Sequence, residues 1–280
     1  MTRRGTRSLL TEHREAKQIL AELGALLGSS GPDDTELTRK DTMPITMPIT
    51  ASRTVRELVV ELPNAARVFE KLGIDYCCGG HKSLDEACAE AGLGVDEVAR
   101  SLAEAGTYTT ASSRDWNTAP LGELVDHIVH HHHTYVKSES PRLQALLTKV
   151  VGVHGANHPE LSRMQAAFGE LAAELAAHLM KEEQILFPYL KQMGTGAGCG
   201  PSCFGTVKNP IRVMMMEHDG AGEKLRQMRQ ATNNYTLPGD ACSSYVALFQ
   251  ALQEFEQDLH QHIHLENNIL FPRAAALEAR

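Results

Sequence analysis

The chain has 280 residues, a formal net charge of −8 and a pI near 6.0, long enough for two domains with one full-sized core. An acidic chain lacks the basic face that nucleic acid or an anionic membrane selects, so neither is expected as a partner. No apolar run of about 18 residues occurs and no signal-peptide core follows the N-terminal arginines, which places the chain in the cytoplasm. Six cysteines, two of them adjacent, do not form the pattern of a secreted disulfide framework and read as reduced thiols. The anomaly is 14 histidines, 12 of them from His127 onward.

Residues 1–53 are charged, interrupted by Gly and Ser, and contain the tandem repeat MPITMPIT at 43–50; they read as a flexible extension with a short amphipathic stretch at 8–27. Residues 54–106 form a run of short helical signals. Pro63 suits a first helical turn, and Ser83 to Glu86 has the S-x-x-E form of a capping box. Between them lies the turn Gly73-Ile74-Asp75-Tyr76-Cys77-Cys78-Gly79-Gly80. The polar segment 107–117 reads as a linker. From 118 to 280 the pattern is helical throughout, with long segments near 119–137, 159–191, 209–232 and 240–270 and a short extra helix near 141–152. The expected fold is all-α, an antiparallel four-helix bundle preceded by a small helical domain.

The second and fourth long helices contain the same word. His178 to Pro188 and His262 to Pro272 both read H-x-x-x-E-x-x-I-L-F-P. Upstream, Met164, Phe168, Leu171, Leu175, His178, Glu182 and Ile185 keep a 4-3-4-3-4-3 spacing that Leu248, Leu252, Phe255, Leu259, His262, Glu266 and Ile269 repeat, as core seams do. A histidine and a carboxylate one turn apart thus enter the core from each helix. Two carboxylates converging in one apolar interior need a counter-charge, which a bound cation supplies.

The first and third helices are expected to complete the site. His218 lies on the stripe Ile211, Met214, Ala221, Leu225, Met228, and its distance to His262 matches the distance from His133 to His178 within one residue. The two halves read H-x44-H-x3-E and H-x43-H-x3-E, giving His133, His178, Glu182, His218, His262 and Glu266. Four imidazoles and two carboxylates without a thiolate suit a pair of iron or manganese ions better than structural zinc. Within DHIVHHHHTY at 126–135, periodicity alone puts His132 nearest the apolar stripe of Leu121, Val125, Ile128 and Val129, with His133 at its edge. The half-to-half spacing chooses His133, and His132 is its rival.

Residues 54 to about 275 resemble the iron-sulfur cluster repair di-iron proteins, the RIC family of the ScdA or YtfE type. The resemblance rests on DYCCGG at 75–80, APLGELVDHI at 119–128, HLMKEEQILFP at 178–188, MEHDGAGE at 216–223 and HIHLENNILFP at 262–272. It implies a hemerythrin-like bundle and a small N-terminal domain of the ScdA_N type. Two non-haem irons, bridged by an oxo or hydroxo group and by carboxylates, would be held by the six residues above, with His133 again chosen on the first helix. The implied role is repair of iron-sulfur clusters damaged by nitrosative or oxidative stress, by iron donation rather than turnover catalysis. Damaged iron-sulfur proteins would be the partners, and nitric oxide or dioxygen the small ligands; a homodimer is left open. The competing readings are a dioxygen or nitric oxide carrier or sensor, and a nitric oxide or peroxide reductase.

No catalytic residue is assigned, but Cys77 and Cys78 are candidates for thiol chemistry, toward which the resemblance points. Cys199 and Cys203 read as incidental loop cysteines, and Cys88 and Cys242 as core residues. Glu174 and Glu217 are candidates to orient the imidazoles. His154 and His158, which precede a helix whose Pro159 suits its first turn, read as capping residues. Met214 to Met216 reads as core and groove packing.

Overall fold

The computed structural model describes residues 48–62, 64–106, 114–195 and 204–279, all within the compact unit Ile45–Arg280. Residues 1–47, Pro63, most of the expected linker, and Cys199 and Cys203 lie outside the described residues, so the expectations that fall on them stand as stated.

Four short helices come first: α1 (Val55–Glu61), α2 (Ala65–Leu72), α3 (Leu84–Ala91) and α4 (Val95–Gly106). Two of them start on reciprocal capping boxes, Thr54 with Glu57 and Ser83 with Glu86, each satisfying two amides that a helix start leaves open. They enclose a core of their own around Leu58, Phe69, Leu84, Cys88, Val98 and Leu102. Ile49 already packs on this core, and the amide of Asp85 donates to the carbonyl of Ala51.

Four long helices follow. α5 runs Leu121–Ile128, Val129–His133 and Thr134–His154 without a break; α6 runs Glu160–Lys181, Glu182–Leu186 and Phe187–Gly194. α7 is Lys208–Ala231, and α8 runs Ser243–His264, Leu265–Leu270 and Phe271–Glu278. α5 packs on α6 and α8, and α6 on α7. No strand occurs among the described residues, and no described helix is long and apolar enough to cross a membrane. The short helix expected near 141–152 is part of α5. Pro141 sits inside it, and the Ser140 hydroxyl donates to the carbonyl of Val136 beside the gap left by the missing amide.

The middle segments of α5, α6 and α8 are π turns, each holding one more residue per turn than an α-helix. That extra residue changes which side chains face inward. In α6 the 4-3 spacing sends Ile185 to the seam, but past the wide turn Ile185 is 50% exposed and Leu186 is 1% exposed in its place.

The bundle interior is two apolar clusters, one around Phe168, Leu175, Leu252 and Phe255, the other around Ile128, Leu190, Leu270 and Phe271. Between them in sequence on every helix lies a polar layer. The larger cluster is packed tightly: Phe168 is fully buried, edge-on to Phe255 at 5.6 Å between centroids. Phe168→Ala is expected to cost about 3–5 kcal/mol, through lost burial and the cavity left behind, measured as the shift of a denaturant unfolding curve.

Candidate metal centre

The polar layer consists of His133, His178, Glu182, His218, His262 and Glu266, all of them buried. They form two groups whose ligand atoms lie within 4.8 Å of one another: His133, His262, Glu182 and Glu266, and His178, His218, Glu182 and Glu266. Both carboxylates belong to both groups. His133 Nε2 lies 3.2 Å from His262 Nε2, and His178 Nε2 lies 3.1 Å from His218 Nε2.

The π turn in α5 explains the choice between adjacent histidines. It delays the helix by one residue, so His133 takes the inward position that an ideal α-helix gives to His132. His132 is buried too, but its Nδ1 pairs with Asp258 at 2.9 Å and its ring lies flat against His262, centroids 5.6 Å apart.

Three imidazoles are fixed from behind. His133 Nδ1 donates to Glu183 at 2.8 Å, His178 Nδ1 to Glu217 at 2.8 Å, and His218 Nδ1 to the Asn267 side-chain oxygen at 2.8 Å. Lys137 holds Glu183 in turn, and Lys181 holds Glu217. With the proton on Nδ1, a neutral ring presents a bare lone pair at Nε2. His178 and His218 therefore aim two lone pairs at each other unless a proton or a metal ion lies between them.

The carboxylates present the same problem. Neither oxygen of Glu182 has a hydrogen-bond partner, although His133 and His178 Nε2 stand 3.4 and 3.3 Å away, out of line for a bond. Burial opposes ionisation of Glu266, yet His262, His133 and His218 outweigh it and hold the carboxyl well below its ordinary range. Burial likewise opposes a charged His133, but Glu182 and Glu266 hold it up at about 10, and His178 is held up at about 9. The raised imidazoles and the lowered carboxyl both answer a shortage of positive charge in this layer, and a cation satisfies the orphaned carboxylate oxygens and the facing lone pairs together. The residues fit a metal.

The small module docks beside this layer. Asn267 and Asn268 donate their side-chain amides to the carbonyls of Cys77 and Tyr76 at 3.2 and 2.9 Å. Gly80 permits the approach, because a Cβ there would come within 3.0 Å of the Asn268 side-chain oxygen. The Asp75 carboxylate accepts the amides of Cys77 and Cys78, which shapes the turn, and Cys78 Sγ reaches the backbone carbonyl of His218 at 3.5 Å. The two thiols are reduced, 3.8 Å apart. The bond to Cys78, together with burial, pushes the Cys77 thiol well above its ordinary value.

Residues 124–274 match the hemerythrin HHE cation binding domain, and residues 51–106 match the ScdA_N family, described as a domain of unknown function. The iron-sulfur cluster repair protein YtfE of Citrobacter koseri is 42% identical over 223 residues, covering 79% of this chain and 96% of that protein. A protein of Haemophilus influenzae named a probable iron-sulfur cluster repair protein is 39% identical over 224 residues, covering 80% and 96%. The YtfE of Escherichia coli O81 is 42% identical over 223 residues, covering 79% and 96%. This chain belongs to the iron-sulfur cluster repair family. For a family member with an HHE domain, non-haem iron is the metal the domain implies.

Several outer residues of this family member differ from the sequence reading. Glu217 orients an imidazole as expected, although the ring is His178 rather than its neighbour His218. Glu174 is exposed. Glu183 and Asn267, each one residue past a layer glutamate, were not anticipated; only their adjacency to Glu182 and Glu266 hints at them. Met214 is buried, but Met215 and Met216 are exposed, since three successive helical residues cannot share one face. Glu183→Ala frees the His133 ring to rotate and change tautomer. Iron affinity is expected to fall about 10- to 100-fold, read by competition with a chelator.

Proposed function

We infer that the polar layer holds two iron ions, each between two histidines and both between Glu182 and Glu266, and that the protein uses this iron to restore damaged iron-sulfur clusters. The observation that carries the reading is the sharing of both carboxylates by the two four-residue groups. The names of the relatives support the repair role and do not favour the carrier, sensor or reductase readings.

When bound, the iron pair supplies exchangeable ferrous or ferric ions and an affinity for nitric oxide or dioxygen. The chain's own residues decide how firmly it is held. Glu183, Glu217 and Asn267 keep three imidazoles in the tautomer that ligates, so release requires one of those bonds or a glutamate contact to open. Asn267 links the layer to the cysteine turn, because it holds His218 on one side and the Cys77 carbonyl on the other. Cys77 and Cys78 line a cleft of about 150 Å³ together with Arg226, Arg229, Glu256 and His260. These features support thiol participation in moving iron or nitric oxide between the layer and a client protein. The setting is cytoplasmic, where thiols stay reduced.

The test is to incubate the iron-loaded protein with a hydratase depleted of its cluster. Recovery of hydratase activity beyond that given by the same quantity of free ferrous iron supports the reading, and recovery no greater than free iron sinks it.

A further inference from the structure

The opposite end of the bundle holds a second cluster of metal-ligating side chains. His154 is the last residue of α5, and His158 follows in the turn before α6. Asp240 and Cys242 lie on the connection from α7 to α8, with Cys242 at the N-cap of α8. His154 stands some 30 Å along α5 from His133, at 1.5 Å per residue, so the cluster is separate from the iron layer.

Sequence reading makes His154 and His158 capping residues and Cys242 a core residue. The structure corrects all three. Neither imidazole bonds an amide of the first turn of α6, whose cap Pro159 makes no side-chain bond, and Cys242 is exposed. Instead the side chains converge. His154 Nε2 lies 3.2 Å from Cys242 Sγ, and His158 Nε2 lies 2.9 Å from Asp240 Oδ1. Ligand atoms of His154, His158 and Asp240 all fall within 4.8 Å of one another.

We propose that His154, His158, Asp240 and Cys242 form a structural site for a divalent ion of the zinc class. Around a tetrahedral ion with bonds of about 2.0–2.3 Å, neighbouring ligand atoms stand roughly 3.3–3.7 Å apart, so the 2.9 Å between His158 and Asp240 needs only a slight opening, while Cys242 Sγ, 3.2 Å from His154 Nε2 but outside the compact group of the other three, must turn in to become the fourth ligand. Two imidazoles, one carboxylate and one thiolate suit zinc, whereas the thiolate-free iron layer does not resemble this set.

The surroundings are those of a built site. Glu160 accepts from His158 Nδ1 at 3.1 Å, which leaves Nε2 as the ligating atom in the carboxylate–histidine–metal arrangement common at zinc sites. Tyr245, 1% exposed, packs against both rings, with centroids 5.2 Å from His154 and 5.8 Å from His158. Gly155 lets the chain leave α5 closely, since a Cβ there would come within 2.5 Å of the Val151 carbonyl. Asp240 is half exposed, which gives an ion a path in. Once Cys242 turns in, four protein ligands close the site to chemistry, and its effect is to fasten the α5–α6 turn to the start of α8.

The full-length, iron-loaded protein is titrated with zinc alone, then with cobalt as a coloured probe. One zinc per chain is expected beyond the iron, with a rise in melting temperature that grows with zinc concentration, and cobalt should show a thiolate-to-metal charge-transfer band. Cys242→Ser should abolish that band and His158→Ala the stoichiometric zinc. Glu160→Gln should weaken zinc about 10- to 100-fold. Unchanged iron content in each variant shows that the bundle is folded and separates this site from the layer. Zinc binding that survives both Cys242→Ser and His158→Ala, or the absence of any stoichiometric zinc, would overturn the proposal and leave the cluster a hydrogen-bonded clasp.

Discussion

Glu266→Ala is expected to remove iron from both halves of the layer at once. Each four-residue group contains Glu266, whose oxygens lie 3.0 Å from His262 Nε2 and 3.1 Å from His218 Nε2, one histidine from each group. A monodentate ligand lost from one metal leaves its neighbour intact, but a shared carboxylate does not. The variant should therefore fall well below one iron per chain in metal analysis, while circular dichroism keeps its helical signal. A second readout follows from linkage. Iron that binds only the folded state raises the melting temperature, so the difference between iron-loaded and chelator-treated protein should be large in the parent chain and should collapse in Glu266→Ala. Retention of iron by the variant would show that Glu266 is a buried counter-charge and not a ligand.

His133→Ala should have the second largest effect, and it differs in kind. It breaks the group of His133, His262, Glu182 and Glu266 and leaves the group of His178 and His218 complete, so iron is expected to drop by about half. His132→Ala is the control one residue away. His132 is equally buried to the eye, but its ring nitrogen goes to Asp258 and its face to His262, so its loss should loosen the His262 ring and leave the iron count nearly unchanged. The reverse pattern, iron lost from His132→Ala and kept by His133→Ala, would mean that the π turn does not set the inward face.

That turn marks the limit of what the sequence reveals. The repeated H-x-x-x-E word and the near-equal His-to-His intervals are legible because ligands on facing helices must come level with one another, and level positions leave regular intervals in the chain. Wide turns leave no such trace. Ile185 looks like a seam residue on any 3.5- or 3.6-residue count and is exposed because a residue is inserted between it and the helix above. The small module is legible through its caps: Ser83 and Glu86 announce α3, and the structure forms both halves of that box. Its docking is not legible, since Asn267 and Asn268 resemble surface amides until the carbonyls of Cys77 and Tyr76 are seen to meet them. His154, His158, Asp240 and Cys242 fail for the same reason. They are contributed by two connections more than 80 residues apart, and only the way the bundle closes its end brings them together.

The most direct test of the central claim is metal analysis of the iron-loaded protein combined with Mössbauer spectroscopy. The shared carboxylates predict two irons per chain, magnetically coupled and in closely similar sites of nitrogen and oxygen ligands. A single iron per chain, or a layer that takes up zinc in place of iron, would contradict it.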